Sequence, residues 1–255
     1  MPTMKINEVD FYYEDEGPAA GIPLVMVHGW TADRRRWDHQ FEHLAKRMRV
    51  IRYDLRGHGL TRGAAGNYTI EQNSRDLLAI LARLNIRKAY LAGHSMGGMT
   101  VQRFALDYPA MVEKLVLVDT LPRTMFGVGR RLLSLGSLLL PYKLFTRINI
   151  MRAFKKGFPR AKVREFVRLS QRNDKRVVQE FFEDMKKWNV SDKLSRIKAR
   201  TLVVHGIHDI RLPFSQGVVL AAGIPNAVMK ALDCGHESPL EKPAELTEAM
   251  GEFLT

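Results

Sequence analysis

The chain has 255 residues, of which 45% are hydrophobic and 26% charged, so it indicates one large globular domain or two small ones. This composition excludes a disordered, collagen-like or disulfide-stapled chain. Cys234 is the only cysteine, so no internal disulfide can form, which favours a reducing, cytoplasmic compartment. The first residues lack an apolar signal region, and no apolar run reaches the roughly 18 residues of a transmembrane segment.

The net charge of +13 is concentrated in one part of the chain. Residues 121–200 contain 21 Lys and Arg against 6 Asp and Glu, a balance of +15, and the remainder carries −2. A solvated helical surface explains such a segment, and an anionic partner is the alternative, either a lipid surface or an acidic carrier protein. No nucleic acid partner is expected, because no nucleic-acid-binding motif accompanies the charge.

Short apolar segments, most of them closed by glycine or aspartate, predict the strands of a buried sheet. In chain order they are Val9–Glu14, Pro23–Gly29, Arg49–Asp54, Lys88–Gly93, Leu115–Asp119, Thr201–Gly206 and Val228–Leu232. Helical periodicity fills most of the gaps, and the helices predicted in this way are Trp37–Met48, Thr69–Leu84, Ser95–Asp107 and Ala244–Leu254. Strands that alternate with such helices predict right-handed βαβ units and a mostly parallel sheet.

The alternation stops between residues 122 and 200, where the pattern is helical only. One apolar stripe in this segment consists of Val177, Val178, Phe181, Phe182, Met185 and Trp188. A helical block inserted between two strands of a sheet predicts a lid over the carboxyl ends of the strands. We therefore expect residues 1–121 and 201–255 to form an α/β core and residues 122–200 to form a basic helical cap.

A Gly-x-Ser-x-Gly segment, residues 93–97, follows a predicted strand and opens a predicted helix. This is the context that a nucleophile elbow requires. A turn this tight forces Ser95 into a strained, positive-φ conformation, and Gly93 and Gly97 have no side chains to collide across it. The Ser95 hydroxyl is thereby lifted clear of the backbone at the positive end of a helix, where it predicts a nucleophile.

A serine nucleophile needs a base, which is expected to be a histidine oriented by a carboxylate. His236 follows the last predicted strand, which places it at the same edge of the sheet as Ser95. Asp209 follows the preceding strand, and the chain order Ser, Asp, His fits this architecture. Asp119 also ends a strand at that edge and is the rival carboxylate, with capping or pairing with the lid as its other role.

An acyl-transfer site also needs hydrogen-bond donors for the oxyanion. The backbone N–H of Met96, directly after the nucleophile, is one predicted donor. The loop after the second predicted strand supplies the other, the N–H of Trp30, and Gly29 lets this backbone approach closely. The residues expected to line the substrate pocket are His28, Gly29, His94 and Leu121.

Metal ions and other cofactors are not expected. His205 and His208 flank Asp209, but no third clustered ligand for zinc accompanies them. His39 and His43 are one helical turn apart, where a solvated helix face is the favoured interpretation.

Taken together, these pieces resemble the α/β-hydrolase family over nearly the whole chain. The resembling segments are His28–Trp30, Tyr53–Gly59, Gly93–Gly98, Gly206–Pro213 and Gly235-His236 with Glu241-Lys242-Pro243. The resemblance implies a mostly parallel eight-stranded sheet flanked by helices, with a helical cap inserted after the sixth strand. Dehalogenase and epoxide hydrolase members have an aspartate at the elbow, so Ser95 implies a serine hydrolase, and carboxylesterases are the most similar kind.

The main hypothesis is therefore hydrolysis of a small-molecule carboxylic ester through an acyl-enzyme on Ser95. A C–C bond hydrolase or lactonase would use the same triad, with Arg123, Arg130 and Arg131 available to hold a carboxylate or enol. A carrier-protein or lipid ester hydrolase would use the basic cap. A binding protein that has lost catalysis is the non-enzymatic alternative, although no triad member is missing.

Residues 130–140 join two arginines to a leucine-rich run. Such a segment could enter an anionic lipid surface. The favoured interpretation is that its leucines close the acyl pocket from above.

Overall fold

A computed structural model of the protein describes residues 3–63, 66–124 and 140–255. Eight strands form one sheet in the order β1-β2-β4-β3-β5-β6-β7-β8. They are β1 (Thr3–Ile6), β2 (Val9–Glu16), β3 (Leu24–Val27), β4 (Val50–Tyr53), β5 (Ala89–His94), β6 (Val112–Val118), β7 (Arg200–Gly206) and β8 (Ala227–Leu232). The pairs β1–β2 and β2–β4 are antiparallel, and all other neighbours are parallel. The predicted α/β fold with a mostly parallel eight-stranded sheet is confirmed.

Helices cover both faces of this sheet. Within the described ranges they are α1 (Asp38–Leu44), α2 (Ile70–Arg83), α3 (Met96–Asp107), α4 (Tyr142–Met151), α5 (Arg160–Ser170), α6 (Lys175–Met185), α7 (Phe214–Gly223), α8 (Ser238–Glu241) and α9 (Pro243–Leu254). Along β3, Val25 and Val27 belong to one buried cluster, and Leu24 and Met26 belong to the other. This alternation is the two-residue period of a strand that is buried on both faces.

Several elements differ from the sequence prediction. Strand β1 was not predicted, because its alternation covers only four residues at the sheet edge, where Met4 and Ile6 are buried. The helix predicted over Trp37–Met48 is shorter than expected, because α1 ends at Leu44. A 3₁₀ turn, Arg34–Trp37, precedes α1, and the Asp33 side chain caps it by accepting a hydrogen bond from the Arg35 N–H. Side-chain capping of this kind fixes a helix start that apolar periodicity cannot locate.

Between β6 and β7, the described residues form α4, α5, α6 and a 3₁₀ helix at Ser191–Arg196, with no strand among them. The predicted apolar stripe of α6 faces the protein interior, where Phe181 lies against the rings of His58 and Tyr68. These helices support the expected cap, although its exact boundaries stay a prediction. Arg130, Arg131 and all but the last residue of the proposed lipid-contact segment lie outside the described residues. No described helix combines the length and apolar character that crossing a bilayer would require.

Candidate active site

Ser95 stands at the sharp turn between β5 and α3. Its backbone has φ 54° and ψ −116°, a strained conformation for a residue with a side chain. A Cβ atom at Gly93 would collide with the backbone of Gly97, so this turn needs glycine. Ser95 is partly exposed whereas His94 and Met96 are buried, so the hydroxyl can be reached from outside the core.

The structure brings the three predicted triad side chains into one hydrogen-bonded chain. His236 Nε2 lies 2.9 Å from Ser95 Oγ, and His236 Nδ1 lies 2.7 Å from Asp209 Oδ2. Asp209 follows β7 and His236 follows β8, so both loops leave the carboxyl end of the sheet, as Ser95 does. This geometry allows His236 to accept the Ser95 proton while Asp209 holds the opposite ring nitrogen.

The environment of Asp209 keeps its carboxylate ionised. Burial alone would raise its pKa, but the charge of His236 and the hydrogen bonds from His205 and His236 hold that pKa below its ordinary value. Its Oδ1 also accepts hydrogen bonds from the backbone N–H groups of Arg211 and Leu212, each at 2.8 Å. The loop after β7 is therefore wrapped around a fixed negative charge.

Asp119, the rival carboxylate, joins the loops that carry the triad. Its Oδ1 accepts hydrogen bonds from the Gly206 N–H and the Ser238 hydroxyl, and its Oδ2 accepts one from the Ser238 N–H, all at 2.9 Å. Gly206 is the last residue of β7 and Ser238 begins α8 after β8, so Asp119 connects the end of β6 to the starts of the two segments that carry Asp209 and His236. The contacts favour a structural role for Asp119 and leave Asp209 as the carboxylate on His236.

One predicted oxyanion donor, the Trp30 N–H, lies on a loop that closely approaches the nucleophile, and the other, the Met96 N–H, opens α3 directly after Ser95. A Cβ atom on Gly29 would lie 3.1 Å from Ser95 Cβ and 3.0 Å from His94 Nδ1, closer than ordinary packing permits. No hydrogen bond between described residues uses the backbone N–H of Trp30 or Met96. Both donors are therefore available, although their role as the oxyanion hole stays a prediction.

The Trp30 side chain connects this loop to the cap. Its indole Nε1–H donates a hydrogen bond to the Val178 carbonyl at 3.0 Å, and its ring stacks on Phe182 at 5.5 Å between centroids. Val178 and Phe182 belong to α6. The loop of the core that carries Trp30 is thus held in place by α6.

Three of the predicted pocket residues, His28, His94 and Leu121, have hydrogen-bond partners in the surrounding protein. His28 Nε2 accepts a hydrogen bond from the Leu55 N–H, so Nδ1 carries the proton and donates to the Gly29 carbonyl. Burial lowers the pKa of His28 to about 4, so the ring is neutral. His94 Nε2 lies 2.9 Å from the His236 carbonyl, and the Leu121 carbonyl accepts a hydrogen bond from the Trp188 indole. These contacts explain their burial, whereas contact with substrate stays a prediction.

Sequence reasoning missed contacts that surround the His236 loop. The His236 N–H donates to the Ala153 carbonyl of the cap at 2.6 Å, and Arg36 forms an ion pair with Glu237 at 2.6 Å. The Arg211 guanidinium lies 6.0 Å from the centre of the Trp30 ring. Of these contacts, only that of Arg211 could have been expected from the sequence, since Arg211 lies two positions after Asp209.

Three buried side chains near the triad have the composition of a metal site. Ligand atoms of Asp119, His205 and Asp209 lie within 4.8 Å of one another. Their oxygen atoms accept the hydrogen bonds described above, and His205 Nε2 lies 2.7 Å from the Leu212 carbonyl. Because these groups already bind protein partners, we propose no metal here.

Comparisons with known proteins agree with this fold. The family model of the alpha/beta hydrolase fold matches residues 22–243. The 3-oxoadipate enol-lactonase 2 of Acinetobacter baylyi is 25% identical over 97% of this chain and 94% of its own length. The crystal structure of an enol-lactonase from Burkholderia xenovorans has a TM-score of 0.92 with 26% identity over 99% of both chains. A thermophilic esterase from Thermogutta terrifontis has a TM-score of 0.89 with 27% identity, covering 100% of this chain and 98% of its own.

Proposed function

Because the chain belongs to the alpha/beta hydrolase fold family, we propose that it is a serine hydrolase that cleaves carboxylic esters through an acyl-enzyme on Ser95. The observation that carries this proposal is the continuous hydrogen-bonded chain from Ser95 Oγ through His236 to Asp209. The similar solved esterase supports the same substrate class.

In the first half of the proposed reaction, Ser95 Oγ attacks the ester carbonyl while its proton passes to His236 Nε2. The positive charge that forms on the ring is stabilised by the ionised Asp209. The carbonyl oxygen becomes an oxyanion, which the N–H groups of Trp30 and Met96 bind. His236 then gives its proton to the departing alcohol, and the acyl group remains on Ser95.

In the second half, water occupies the place that the alcohol has left. His236 Nε2 takes a proton from this water, and the resulting hydroxide attacks the acyl carbonyl. Collapse of the second oxyanion breaks the bond to Ser95 Oγ, which recovers its proton from His236. The products are one carboxylic acid and one alcohol.

Replacement of the nucleophile tests this proposal directly. Ser95→Ala should lower the turnover of p-nitrophenyl butyrate by about 10⁴- to 10⁶-fold, because no nucleophile then remains to accept the acyl group. Thr100→Ser, which changes a buried hydroxyl residue of α3 outside the relay, is the control and should retain activity. Turnover by Ser95→Ala at the wild-type rate contradicts the proposal.

Lactone or C–C bond hydrolysis by the same triad is the second candidate. A partly buried cation beside the loop that carries Trp30 favours it, since Arg211 lies 6.0 Å from the Trp30 ring and could attract a carboxylate on the substrate. Burial lowers the pKa of this guanidinium, and Glu237 and Asp209 oppose the effect. A panel of esters, lactones and β-diketones separates the candidates. If Arg211→Met impairs only the carboxylate-bearing substrates, the second candidate is favoured.

The cap supports a proposal about an anionic partner. On α5, the side chains of Arg160, Lys162, Arg164 and Arg168 are exposed, and no ion pair between described residues involves them. On the adjoining α4, the apolar side chains that are most exposed are Leu144, Ile148 and Met151. Basic and apolar side chains on adjacent helices favour an anionic lipid surface over an acidic carrier protein.

Vesicle binding tests the lipid proposal. The protein should co-sediment with phosphatidylserine vesicles at low salt and not with phosphatidylcholine vesicles. The triple variant R160E/R164E/R168E should weaken this binding by about 100-fold, because each charge contributes roughly 1 kcal/mol. R47E/R83E/R87E, which reverses three exposed charges outside residues 122–200, is the matched control. Equal binding to both vesicle types contradicts recognition of an anionic surface, and no binding to either contradicts a lipid role and leaves the acidic carrier protein.

A further inference from the structure

Two histidines of α1, outside the proposed triad, stack on each other at the protein surface. The ring centroids of His39 and His43 lie 4.0 Å apart, and the ring planes differ by 14°. His39 is partly exposed and His43 is exposed. Side chains four positions apart on a helix are neighbours, so both rings can reach one ligand from solvent.

A hydrogen bond to the backbone determines which nitrogen of His43 carries the proton. His43 Nδ1 lies 2.8 Å from the His39 carbonyl, which can only accept a hydrogen bond. In the neutral ring the proton is therefore on Nδ1, and the lone pair is on Nε2. This Nε2 has no hydrogen-bond partner in the described part of the chain.

The contact of His39 with α9 leads to the same assignment. The Thr247 hydroxyl donates its single proton to the Pro243 carbonyl at 2.7 Å. His39 Nδ1 lies 2.9 Å from Thr247 Oγ1, so Nδ1 is the donor to that oxygen. The His39 Nε2 then holds a lone pair, lacks a partner among the described residues and is open to solvent.

This arrangement is the one that metal-binding histidines adopt. Such histidines usually donate the second ring N–H to a backbone carbonyl or another acceptor, which orients the ring and leaves the lone pair free for the ion. The sequence favoured a solvated helix face for His39 and His43. The positions of the two Nδ1 protons, which only the tertiary contacts determine, change that interpretation.

The charge beside the pair also favours a cation. Glu248 and Glu252 of α9 line a groove with His43 and Arg47. No ion pair between described residues involves either carboxylate, so two negative charges face one positive charge in this groove. The net negative charge attracts a metal ion to the surface where the two rings stack.

We propose that the Nε2 atoms of His39 and His43 bind one late first-row transition-metal ion, such as Cu²⁺, Ni²⁺ or Zn²⁺. Imidazole nitrogen suits these ions, and a small rotation of the exposed His43 ring directs both lone pairs at one ion. Among the described residues, no third histidine, cysteine, aspartate or glutamate joins the pair, so water completes the coordination. Thr247 is a positioning residue for His39. The proposal does not depend on ester hydrolysis at Ser95.

Calorimetric titration of the untagged, metal-free protein tests the site. Cu²⁺ should bind at one ion per chain, and it should bind more tightly than Ni²⁺ or Zn²⁺, as the usual order of affinities for nitrogen ligands predicts. Mg²⁺ prefers oxygen ligands and should not bind there.

Histidine variants show whether two rings hold one ion. His39→Gln and His43→Gln should each weaken Cu²⁺ binding by at least about tenfold, because loss of a ligand costs no less than loss of a group that orients one. The double variant H39Q/H43Q should bind little more weakly than either single variant, since two-point binding is already lost. His208→Gln, which changes another exposed histidine, is the matched control and should bind Cu²⁺ like wild type.

Thr247 variants test whether α9 orients His39. Thr247→Val removes the hydroxyl that accepts the His39 Nδ1–H, and it should weaken Cu²⁺ binding by about tenfold. Thr247→Ser keeps the hydroxyl and should bind Cu²⁺ as tightly as wild type. Urea unfolding without metal checks that each variant is folded, so that a change in affinity reports on the site.

One Cu²⁺ ion per chain that both histidine variants lose and His208→Gln keeps supports the proposal, whether or not Ser95 proves to be a nucleophile. The proposal is overturned if Cu²⁺ does not bind, or if either single histidine variant binds it with wild-type affinity. Wild-type affinity in Thr247→Val overturns the positioning of His39 by α9.

Discussion

The loops at the carboxyl edge of the sheet and the helices that cover them are built in opposite ways. At the sheet edge, Asp119, Asp209 and His236 are at most 5% exposed and are held by backbone hydrogen bonds. On α5 of the cap, by contrast, only Val167 and Ser170 are buried. The difference indicates that the core fixes the proposed triad, whereas α5 has a largely solvent-facing surface that is open to a partner.

Separate substitution of the two buried aspartates at the sheet edge, Asp209 and Asp119, should give the largest difference in kcat. Asp209→Asn should lower kcat by about 10⁴-fold, because an amide neither favours the required His236 tautomer nor stabilises its cation. Asp119→Asn removes hydrogen bonds to the Ser238 region and should cost about 1–3 kcal/mol of unfolding free energy, with far less effect on kcat. Steady-state kinetics measures kcat of both variants, and urea unfolding measures their free energies of unfolding. Larger catalytic loss in Asp119→Asn would reverse the assignment of the two carboxylates.

The close approach of the oxyanion loop can be disturbed without touching the triad. Gly29→Ala places a methyl group 3.1 Å from Ser95 Cβ, so the loop that carries the Trp30 N–H must shift. Loss of one oxyanion donor typically costs about 10²- to 10³-fold in kcat, and we expect a decrease approaching that range. Gly251→Ala, whose new methyl group meets nothing closer than 3.7 Å, is the matched control. Normal kcat in Gly29→Ala would show that the loop does not bind the oxyanion.

Acid should destabilise the sheet-edge loops through two neutral histidines. Burial lowers the pKa of His28 to about 4 and that of His58 to about 3, against about 6.5 in an unfolded chain. Between these pH values the two histidines bind protons in the unfolded state but not in the folded state, so the free energy of unfolding falls as the pH is lowered from about 6.5.

Each of the two histidines should lower the free energy of unfolding by roughly 2 kcal/mol at about pH 5 relative to about pH 8. Urea unfolding of wild type and His28→Gln at both pH values measures this loss. The variant should be less stable at the higher pH but less sensitive to acid, and the exposed His43→Gln should match wild type. An unchanged acid sensitivity in His28→Gln would contradict the neutral, buried state of His28.

The sequence specified the sheet edge better than the cap because local rules act there. Gly93, Ser95 and Gly97 identify the elbow, since only one backbone geometry satisfies a strand, a tight turn and a helix at that spacing. Asp209 and His236 followed from the rule that parallel strands end at one edge. The contact between Ala153 and His236 joins residues 83 positions apart through a backbone carbonyl, which leaves no pattern in side-chain identity.

Charge pairing was equally invisible in the sequence. Arg36 belongs to a run of three arginines, Arg34–Arg36, that reads as a solvated surface, yet its side chain is buried against Glu237 and Phe166. Each arginine of the run pairs with a different acidic side chain, which only the tertiary fold determines. The net charge of residues 121–200 is a direct count from the sequence, but composition cannot say which of the cations find partners.

Covalent labelling with a fluorophosphonate probe tests most directly whether His236 activates Ser95. Intact mass spectrometry of the wild-type protein should show one phosphonyl group, peptide mapping should locate it on Ser95, and His236→Gln should label far more slowly. An unlabelled wild-type protein, a label on another residue, or equal labelling rates in His236→Gln would contradict the proton relay.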